Sequence, residues 1–291
     1  MTNSRNKMKT ISLFILSFLI STQINCQIIT GKVADASNGE RLIYASIGIV
    51  NANQGTISDE QGNFHLDVKN IPANAIIRVS MIGYNPQTFT IGDLIDKENE
   101  IRLESKITEL TEIIVKPLGK PVIIGSTQIS KGILCGWGGT DPGKGYEIGT
   151  KLELGENPVR IKSLHLHLHK QSFDSTLFRL HIRNLVDNMP GQELLNSEIL
   201  IKVEKESGWI DIDLSKYNLV FEGDIVLSLE WIKVMGLNNN KLMKMNGQKQ
   251  YTANVLFSEK KNKGCIYTRW GSEAIWSRFE DKSPCFYVTV Q

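Results

Sequence analysis

Three histidines at alternating positions, His165, His167 and His169, are the clearest candidates for chemistry in this sequence. Residues two apart on a β-strand point to the same side, about 6.6 Å apart, so the three imidazoles are expected to share one face. Imidazoles in this arrangement are frequent ligands of zinc. The alternatives are an anion contact and a plain solvated or inter-domain sheet face, and the pattern favours the plain face.

A second alternating run, close behind the histidines in the sequence, bears on the choice between a metal site and an anion contact. Its outward positions are Arg179, His181 and Arg183, and its inward positions are apolar. If the two runs form a hairpin, one face carries four histidines and two arginines. Guanidinium groups disfavour an adjacent divalent cation and suit a carboxylate, so an anion or sugar acid fits better than a metal.

The five tryptophans divide by their sequence surroundings. Trp137, Trp270 and Trp276 lie beside glycines and charged residues, whereas Trp209 and Trp231 stand inside apolar strand patterns. Exposed indoles can stack on sugar rings, so the first three are candidate glycan-binding residues, with rim packing as the alternative. The other two are predicted to be core residues.

The sequence lacks the common signatures of catalysis. It contains neither a Gly-x-Ser-x-Gly elbow nor a His-Glu-x-x-His motif, and no spacing singles out a pair of carboxylates. Asp141, in a glycine-rich loop, is a candidate calcium ligand, and no cofactor is predicted. Carboxylates from distant strands can still meet in space, which keeps a glycan hydrolase or accessory subunit as an alternative.

The elements that position these residues are predicted to be strands almost throughout. Alternating or apolar runs of strand length recur, and no window past residue 28 keeps an apolar stripe at helical spacing for three turns. Two prolines and a glycine near residue 118 indicate a linker. We therefore predict an all-β chain with a domain over 28–106, a linker over 107–121 and a larger jelly-roll-type sandwich over 122–291.

Turn chemistry is clearest in the N-terminal domain. Asp59 suits the first position of a tight turn, because its carboxylate accepts backbone N–H groups, and Gly62 suits the left-handed position that follows. Farther on, Gly83 ends a strand and Tyr84 is expected to pack over its bare backbone. These four residues are predicted to be structural.

Four motifs in this order carry a family resemblance. They are Gly31-x-Val33-x-Asp35, Tyr44-Ala45-Ser46-Ile47, Gly55-Thr56-x-Ser58-Asp59-x-x-Gly62-x-Phe64 and Ser80-x-Ile82-Gly83-Tyr84. Together they resemble the carboxypeptidase-regulatory-like domain family. The resemblance implies a seven-stranded prealbumin-like sandwich, which is an accessory domain and not the zinc-bearing catalytic one. It also implies an envelope protein of Bacteroidetes type, where such domains often follow the export signal.

The N-terminus has the three parts of a secretory signal over residues 1–27. Arg5, Lys7 and Lys9 precede an apolar run of about ten residues, which is too short to span a bilayer. We expect cleavage near Cys26 and no transmembrane span in the mature chain. Lipidation of Cys26 is the less favoured alternative, because Asn25 stands where lipoprotein signals carry a small residue.

The net charge bears on the binding partners, and the cysteine content bears on disulfide formation. The formal charge of +2 falls to near −1 when the three basic residues of the signal are removed, which gives no electrostatic basis for binding nucleic acid. Three cysteines remain in the mature chain, and an oxidising compartment allows one disulfide. Cys265 and Cys285 are the preferred pair, because both lie in the last stretch of chain.

Taken together, these features predict an exported, non-catalytic binding or scaffold protein of the periplasm, outer-membrane surface or extracellular space. Its candidate partners are a glycan, bound through the C-terminal domain, and another envelope protein. A surface-adhesion or protein-interaction module is the further alternative.

Overall fold

A computed structural model describes most of the chain after the predicted signal, in the following ranges: residues 27–106, 120–130, 134–140, 142–244, 251–252 and 254–291. Three predictions lie outside these ranges: the signal with Cys26, most of the linker, and the calcium ligand Asp141. The domain boundaries therefore stay a prediction. The described residues are nearly all-β, which confirms the predicted fold class.

Strands β1 to β7 form an N-terminal sandwich of two sheets. One sheet has the order β4-β1-β7 and the other β3-β2-β5-β6, and every pairing is antiparallel except that of β1 with β7. A single helical turn, α1, connects β6 to β7 and begins with a capping box at Thr90 and Asp93. The elements are β1 (Ile28–Asp35), β2 (Ser46–Ile49), β3 (Gly55–Ile57), β4 (Asn63–Asp67), β5 (Ile76–Ser80), β6 (Gln87–Thr90), α1 (Ile91–Leu94) and β7 (Glu98–Leu103).

Alternation along these strands explains the core of the N-terminal sandwich. In β4, Phe64 and Leu66 are buried while His65 and Asp67 are exposed. The turn before β4 is built by Asp59, whose carboxylate accepts the backbone N–H groups of residues 61 and 63. Gly62 follows with φ of +75°, a conformation that glycine adopts at little cost.

Strands β8 to β17 and β20 to β22 form a larger C-terminal sandwich, and β18 and β19 form a separate two-stranded sheet. All of these pairings are antiparallel. The strands are β8 (Val122–Gly125), β9 (Leu134–Gly138), β10 (Tyr146–Glu153), β11 (Val159–Gln171), β12 (Phe173–Val186), β13 (Met189–Glu193), β14 (Leu200–Val203), β15 (Gly208–Asp213), β16 (Leu219–Phe221), β17 (Asp224–Leu237), β18 (Met243–Lys244), β19 (Tyr251–Thr252), β20 (Asn254–Trp270), β21 (Ser277–Pro284) and β22 (Phe286–Val290).

The long strand β20 takes part in both layers of the C-terminal sandwich. Its first part pairs with β9 and β11, its last part pairs with β10, and β21 pairs with it from Glu259 to Thr268. We call the layer of β10, β12, β13, β14, β17 and β21 the proximal sheet, since it contacts the N-terminal sandwich. The layer of β8, β9, β11, β15, β16 and β22 is the distal sheet.

The core between the two sheets is apolar and rich in aromatic rings. Trp231 is fully buried, as expected, and its ring stacks on that of Trp137 with centroids 5.6 Å apart. Trp137 is only 2% exposed, so the prediction of an exposed sugar-stacking residue at this position is wrong. The flanking glycines misled that prediction: Gly136 approaches the backbone of Val255 closely and lets β9 lie against β20.

The hairpin considered for the two histidine-bearing runs does not form. β11 belongs to the distal sheet and β12 to the proximal sheet, and both direct their leucines into the shared core. Their polar faces therefore point in opposite directions, so His165 and His167 are separated from Arg179 and His181 by the thickness of the sandwich. The backbones of two packed sheets are about 10 Å apart, and the polar side chains extend outward from each of them.

The predicted disulfide is also absent, because Cys265 and Cys285 are free thiols. The N–H of Cys285 bonds to the carbonyl of Ser258, which is seven residues from Cys265 along β20. That separation corresponds to about 20 Å at the rise of a strand, whereas a disulfide needs Cα atoms within about 7 Å. Sequence proximity was a poor guide here, since β20 and β21 run antiparallel.

Candidate functional site

The distal sheet carries a contiguous group of rings on its outer face. The register places Trp209 opposite His167 on one neighbouring strand, and Tyr287 opposite His165 on the other. Residues paired in this way point to the same face, so strand pairing alone brings the four rings together. We call His165, His167, Trp209 and Tyr287 the distal aromatic cluster.

The rings of the distal aromatic cluster contact one another directly. His165 stacks on Tyr287 with centroids 4.3 Å apart and planes within 10°. Trp209 makes edge-to-face contacts with His167 at 5.0 Å and with Tyr287 at 5.2 Å. All four side chains are half-buried, so each has part of its surface in solvent while its neighbours fix its orientation.

Hydrogen-bonding groups surround these rings. His165 Nδ1 lies 2.5 Å from the exposed carboxylate of Asp211, and its Nε2 lies 2.8 Å from Ser163 Oγ. His167 Nδ1 lies 2.8 Å from the hydroxyl of Ser258. Burial lowers the pKa of His167, aided by the nearby His169, so this imidazole is predominantly neutral at physiological pH. A neutral imidazole at His167, with hydrogen-bonding groups around the neighbouring rings, suits an uncharged polar ligand.

The proximal sheet presents a very different surface, a buried row of charges. Strand register aligns Arg179, Glu230, Glu147 and Arg269 side by side across β12, β17, β10 and β20. Each carboxylate is neutralised by a guanidinium next to it. Arg183 adds a bidentate pair to Glu147, with N–O distances of 2.7 and 3.2 Å. We call these five residues, together with His181 and Glu193, the proximal charge network.

Buried charges in the proximal charge network hold each other ionised. Burial alone would raise the pKa of Glu147, but Arg183 and Arg269 hold it well below its usual range. His181 lies between two carboxylates, with Nδ1 2.6 Å from Glu193 and Nε2 3.0 Å from Glu230. Burial opposes its positive charge, yet the attraction of Glu147 and Glu193 outweighs burial and raises the His181 pKa.

The network also joins the two sandwiches. The guanidinium of Arg179 donates to the carbonyl of Tyr44 and to the hydroxyl of Ser46 in the N-terminal sandwich. A second link is the ion pair of Arg78 with Glu273, with Nη1 to Oε1 at 3.1 Å. Arg179 is 1% exposed, so its guanidinium is shielded from bulk solvent at this contact.

Three members of the network resemble a metal site at first sight. Ligand atoms of Glu147, His181 and Glu230 lie within 4.8 Å of one another. Each of these carboxylates already accepts from an arginine, however, and His181 faces the same guanidinium-rich surroundings. A divalent cation would have to displace these donors, so the donor set does not suit a metal.

The remaining predicted site residues lie apart from one another. His169 is exposed at the end of the histidine run, and Trp270 is 48% exposed and packs edge-to-face against Tyr146. Trp276 lies over the proximal sheet, with the guanidinium groups of Arg183 and Arg269 at 5.4 and 5.0 Å from its ring.

The predicted structural pair in the N-terminal sandwich has contacts that the sequence did not suggest. Gly83 approaches the backbone carbonyl of Asn196 in the C-terminal sandwich, where a Cβ atom would lie only 2.8 Å away. The hydroxyl of Tyr84 donates to Asp35 at 3.0 Å.

Sequence reasoning missed several residues of both sites. Trp209 was assigned to the core. It is two residues from Asp211 and four from Asp213 on the same strand, so it shares their solvent face. Glu147 and Glu230 each interrupt an apolar strand, which is the signal that was available for the network. Tyr287 had no comparable signal, because only the pairing of β22 with β11 brings it to His165.

Comparison with known proteins identifies the N-terminal part of the chain. Residues 29–115 match the family model of the CarboxypepD_reg-like domain, which confirms the resemblance found in the sequence. That family is a non-catalytic, regulatory-like β-sandwich. The match covers less than a third of the chain and does not extend into the C-terminal sandwich. No curated protein sequence matches the chain.

Solved structures provide distant likenesses only. One is the structure of the cysteine protease and lectin-like domains of Cwp84, a surface layer associated protein of Clostridium difficile, with 8% identity and a TM-score of 0.37. The aligned region covers 91% of this chain and 58% of that chain, so this chain spans less than two thirds of the Cwp84 chain's length. Another is the structure of infectious bursal disease virus Gt strain, with 10% identity, a TM-score of 0.24, and coverage of 91% and 62%.

Proposed function

We propose that this protein is an exported, non-catalytic binding protein whose C-terminal sandwich holds a glycan on the distal aromatic cluster. The regulatory-like N-terminal sandwich and the β-rich C-terminal sandwich fit a binding or scaffold role. The proposal rests chiefly on one observation: four mutually braced rings on the solvent face of the distal sheet, with hydrogen-bonding groups at their edges.

The chemistry of the cluster matches the two surfaces of a sugar. The C–H-rich face of a pyranose ring packs on an indole or phenol ring, and aromatic packing contributes about 0.5–1.5 kcal/mol beyond the area buried. Sugar hydroxyls need hydrogen-bond partners at the edge, and Asp211, Ser163 and Thr289 are placed to supply them. Bracing by neighbouring rings lowers the conformational entropy lost on binding, because the side chains are already ordered.

The carboxylates of the proximal sheet support a binding role over hydrolysis. A glycosidase needs one carboxyl group with a raised pKa as its general acid. In Glu147, Glu193 and Glu230 burial would raise the pKa, but neighbouring arginine and histidine charges lower it in all three. These groups are held as carboxylates and are poorly suited to protonate a leaving group.

Export is the second part of the proposal, and it rests on the signal-like N-terminus. A CarboxypepD_reg-like domain directly after such a segment fits an envelope location. No helix in the described part of the chain is long and apolar enough to cross a membrane.

A glycan array probed with the chain from residue 28 onward tests the binding proposal. We expect binding to neutral oligosaccharides, and a loss of at least about tenfold in affinity for Trp209→Ala, since a central tryptophan commonly dominates an interface. Trp270→Ala is the matched control, because it removes an exposed indole outside the cluster and should bind as the unmodified protein does. A blank array, or equal losses in both variants, would contradict the proposal.

A further inference from the structure

A cavity of about 530 Å³ lies between the two sandwiches, above the proximal charge network. The N-terminal sandwich supplies one wall, formed by residues 80–86 and by Lys106. The C-terminal sandwich supplies the other walls, formed by residues 191–193 and 272–276, and a floor that includes Arg179, His181, Arg183 and Arg269. Its volume lies within the range of small-molecule sites, about 300–1,000 Å³, and it is far from the distal aromatic cluster.

Arg269, at one side of the floor, has an unused hydrogen-bond donor. Arg269 directs Nε and Nη2 at Glu147 and leaves Nη1 without an acceptor among the described residues. The planar guanidinium is held in place by these bonds and by the ring of Trp276, so its free edge is ordered before any ligand arrives. A fixed donor of this kind suits an anion, since little entropy is lost on contact.

A second cationic group lines the cavity at the opposite wall. Lys106 is exposed there, and within the described residues its ammonium group forms no ion pair.

The acidic residues of the lining do not cancel these donors. Glu193 is occupied by His181 and by the backbone N–H groups of Ile182 and Leu195. Glu273 accepts both of its bonds from Arg78. Three arginines of the lining, Arg78, Arg179 and Arg183, are paired with carboxylates, so the unused donors are those of Arg269 and Lys106.

Apolar surface lines the same space and limits what kind of anion fits. Trp276, Met81 and Pro86 contribute side chains to the walls. A small inorganic ion would not contact these apolar surfaces, whereas the ring of an organic acid packs against them. A hexuronic acid combines a carboxylate with a ring of hydroxyls and is of a size that this cavity accommodates.

We propose that the inter-sandwich cavity is a second binding site, specific for a small carboxylate-bearing sugar. The carboxylate binds the free edge of Arg269, and Lys106 at the opposite wall adds positive charge to the cavity. The ligand contacts residues of both sandwiches, so its binding stabilises their contact as well. This site is independent of the distal aromatic cluster, where the proposed ligand is neutral.

Calorimetric titration with glucuronate and with glucose tests this site, because the two sugars share a ring and differ in one carboxylate. We expect heat of binding with glucuronate that weakens as salt is added, and none with glucose at the same concentration. Equal heats, or no heat from glucuronate up to millimolar concentration, would overturn the proposal.

Two variants of the cavity test where glucuronate binds, and the second avoids a change in the buried charge network. Arg269→Gln should weaken glucuronate binding at least about tenfold, the scale of a charge-assisted hydrogen bond. Because this change also removes bonds to Glu147, Lys106→Gln is the second variant; Lys106 is exposed, and we expect a loss of about 2- to 5-fold. Lys69→Gln removes an exposed charge outside the cavity and should have no effect.

Trp209→Ala separates this site from the proposed function. It should leave glucuronate binding unchanged even if it abolishes neutral-glycan binding. A loss of glucuronate binding in Trp209→Ala, with none in Lys106→Gln, would place the acid on the distal sheet and overturn the cavity assignment.

Discussion

Loss of the buried Arg179 side chain should destabilise this protein strongly. This side chain is 1% exposed and donates to Glu198 and Glu230, each at 2.8 Å, and to Tyr44 and Ser46 across the sandwich contact. Arg179→Met keeps much of the buried stem but removes every one of these donors. Glu230 would then be a buried carboxylate that keeps only His181 as a partner, with its Oε1 already unpaired.

Removal of one partner from a buried ion pair costs about 3–5 kcal/mol, because the remaining charge stays desolvated. We expect Arg179→Met to lower the free energy of unfolding by that amount in urea denaturation. Because Arg179 bridges the sandwiches, its loss should also separate their unfolding into two transitions. Tryptophan fluorescence follows the C-terminal sandwich alone, since every tryptophan lies there, whereas circular dichroism follows both sandwiches, so the two unfolding curves should no longer coincide.

Arg102→Met is the matched control for this experiment. Arg102 pairs with Glu100 at 2.8 Å, but both side chains are about half exposed, and exposed pairs contribute up to about 1 kcal/mol. A loss for Arg179→Met no larger than that of the control would refute the account of the proximal charge network. Partial recovery in the double variant Arg179→Met/Glu230→Gln would show that the uncompensated carboxylate carries the cost.

Three further results are expected. The raised pKa of His181 means that its contribution to stability is complete below about pH 6.5 and is lost as pH rises through the folded-state pKa. When urea denaturation is measured across pH, His181→Gln should therefore reduce the fall in the free energy of unfolding on the alkaline side. Trp137→Ala should cost about 3–5 kcal/mol in the same assay, because it leaves a core cavity next to Trp231; a loss under about 1 kcal/mol would mean that the indole is not buried. Mass spectrometry after alkylation in denaturant without reductant should find Cys265 and Cys285 both modified, and a protected pair would contradict the strand register.

The fold class and the N-terminal sandwich follow from local sequence patterns. Alternation identifies a strand such as β4, and the turn residues Asp59 and Gly62 bond only to near neighbours in the chain. Such features need no knowledge of the tertiary structure. The family resemblance carried by these turns was correct for the same reason.

The sites depend on long-range pairing, which no local pattern encodes. The inward and outward alternation of the His165 and Arg179 strands was evident. Whether they form one hairpin was left open, because nothing in the connection shows that the chain crosses to the other sheet. Trp137 shows the same limit: its glycine neighbours suggested exposure, whereas they permit close backbone approach in a buried strand pair. Glu147 meets Glu230 and Arg269 only through the order of three strands distant in sequence.

The distal aromatic cluster is tested most directly by nuclear magnetic resonance of the tryptophan indole N–H groups during titration with a neutral oligosaccharide identified on the array. The chain has five tryptophans, and only Trp209 belongs to the cluster. We expect its resonance to shift in a saturable manner, while those of the buried Trp137 and Trp231 and of the exposed Trp270 stay in place. Binding that leaves the Trp209 signal unmoved, or that shifts Trp270 instead, would contradict the proposed function.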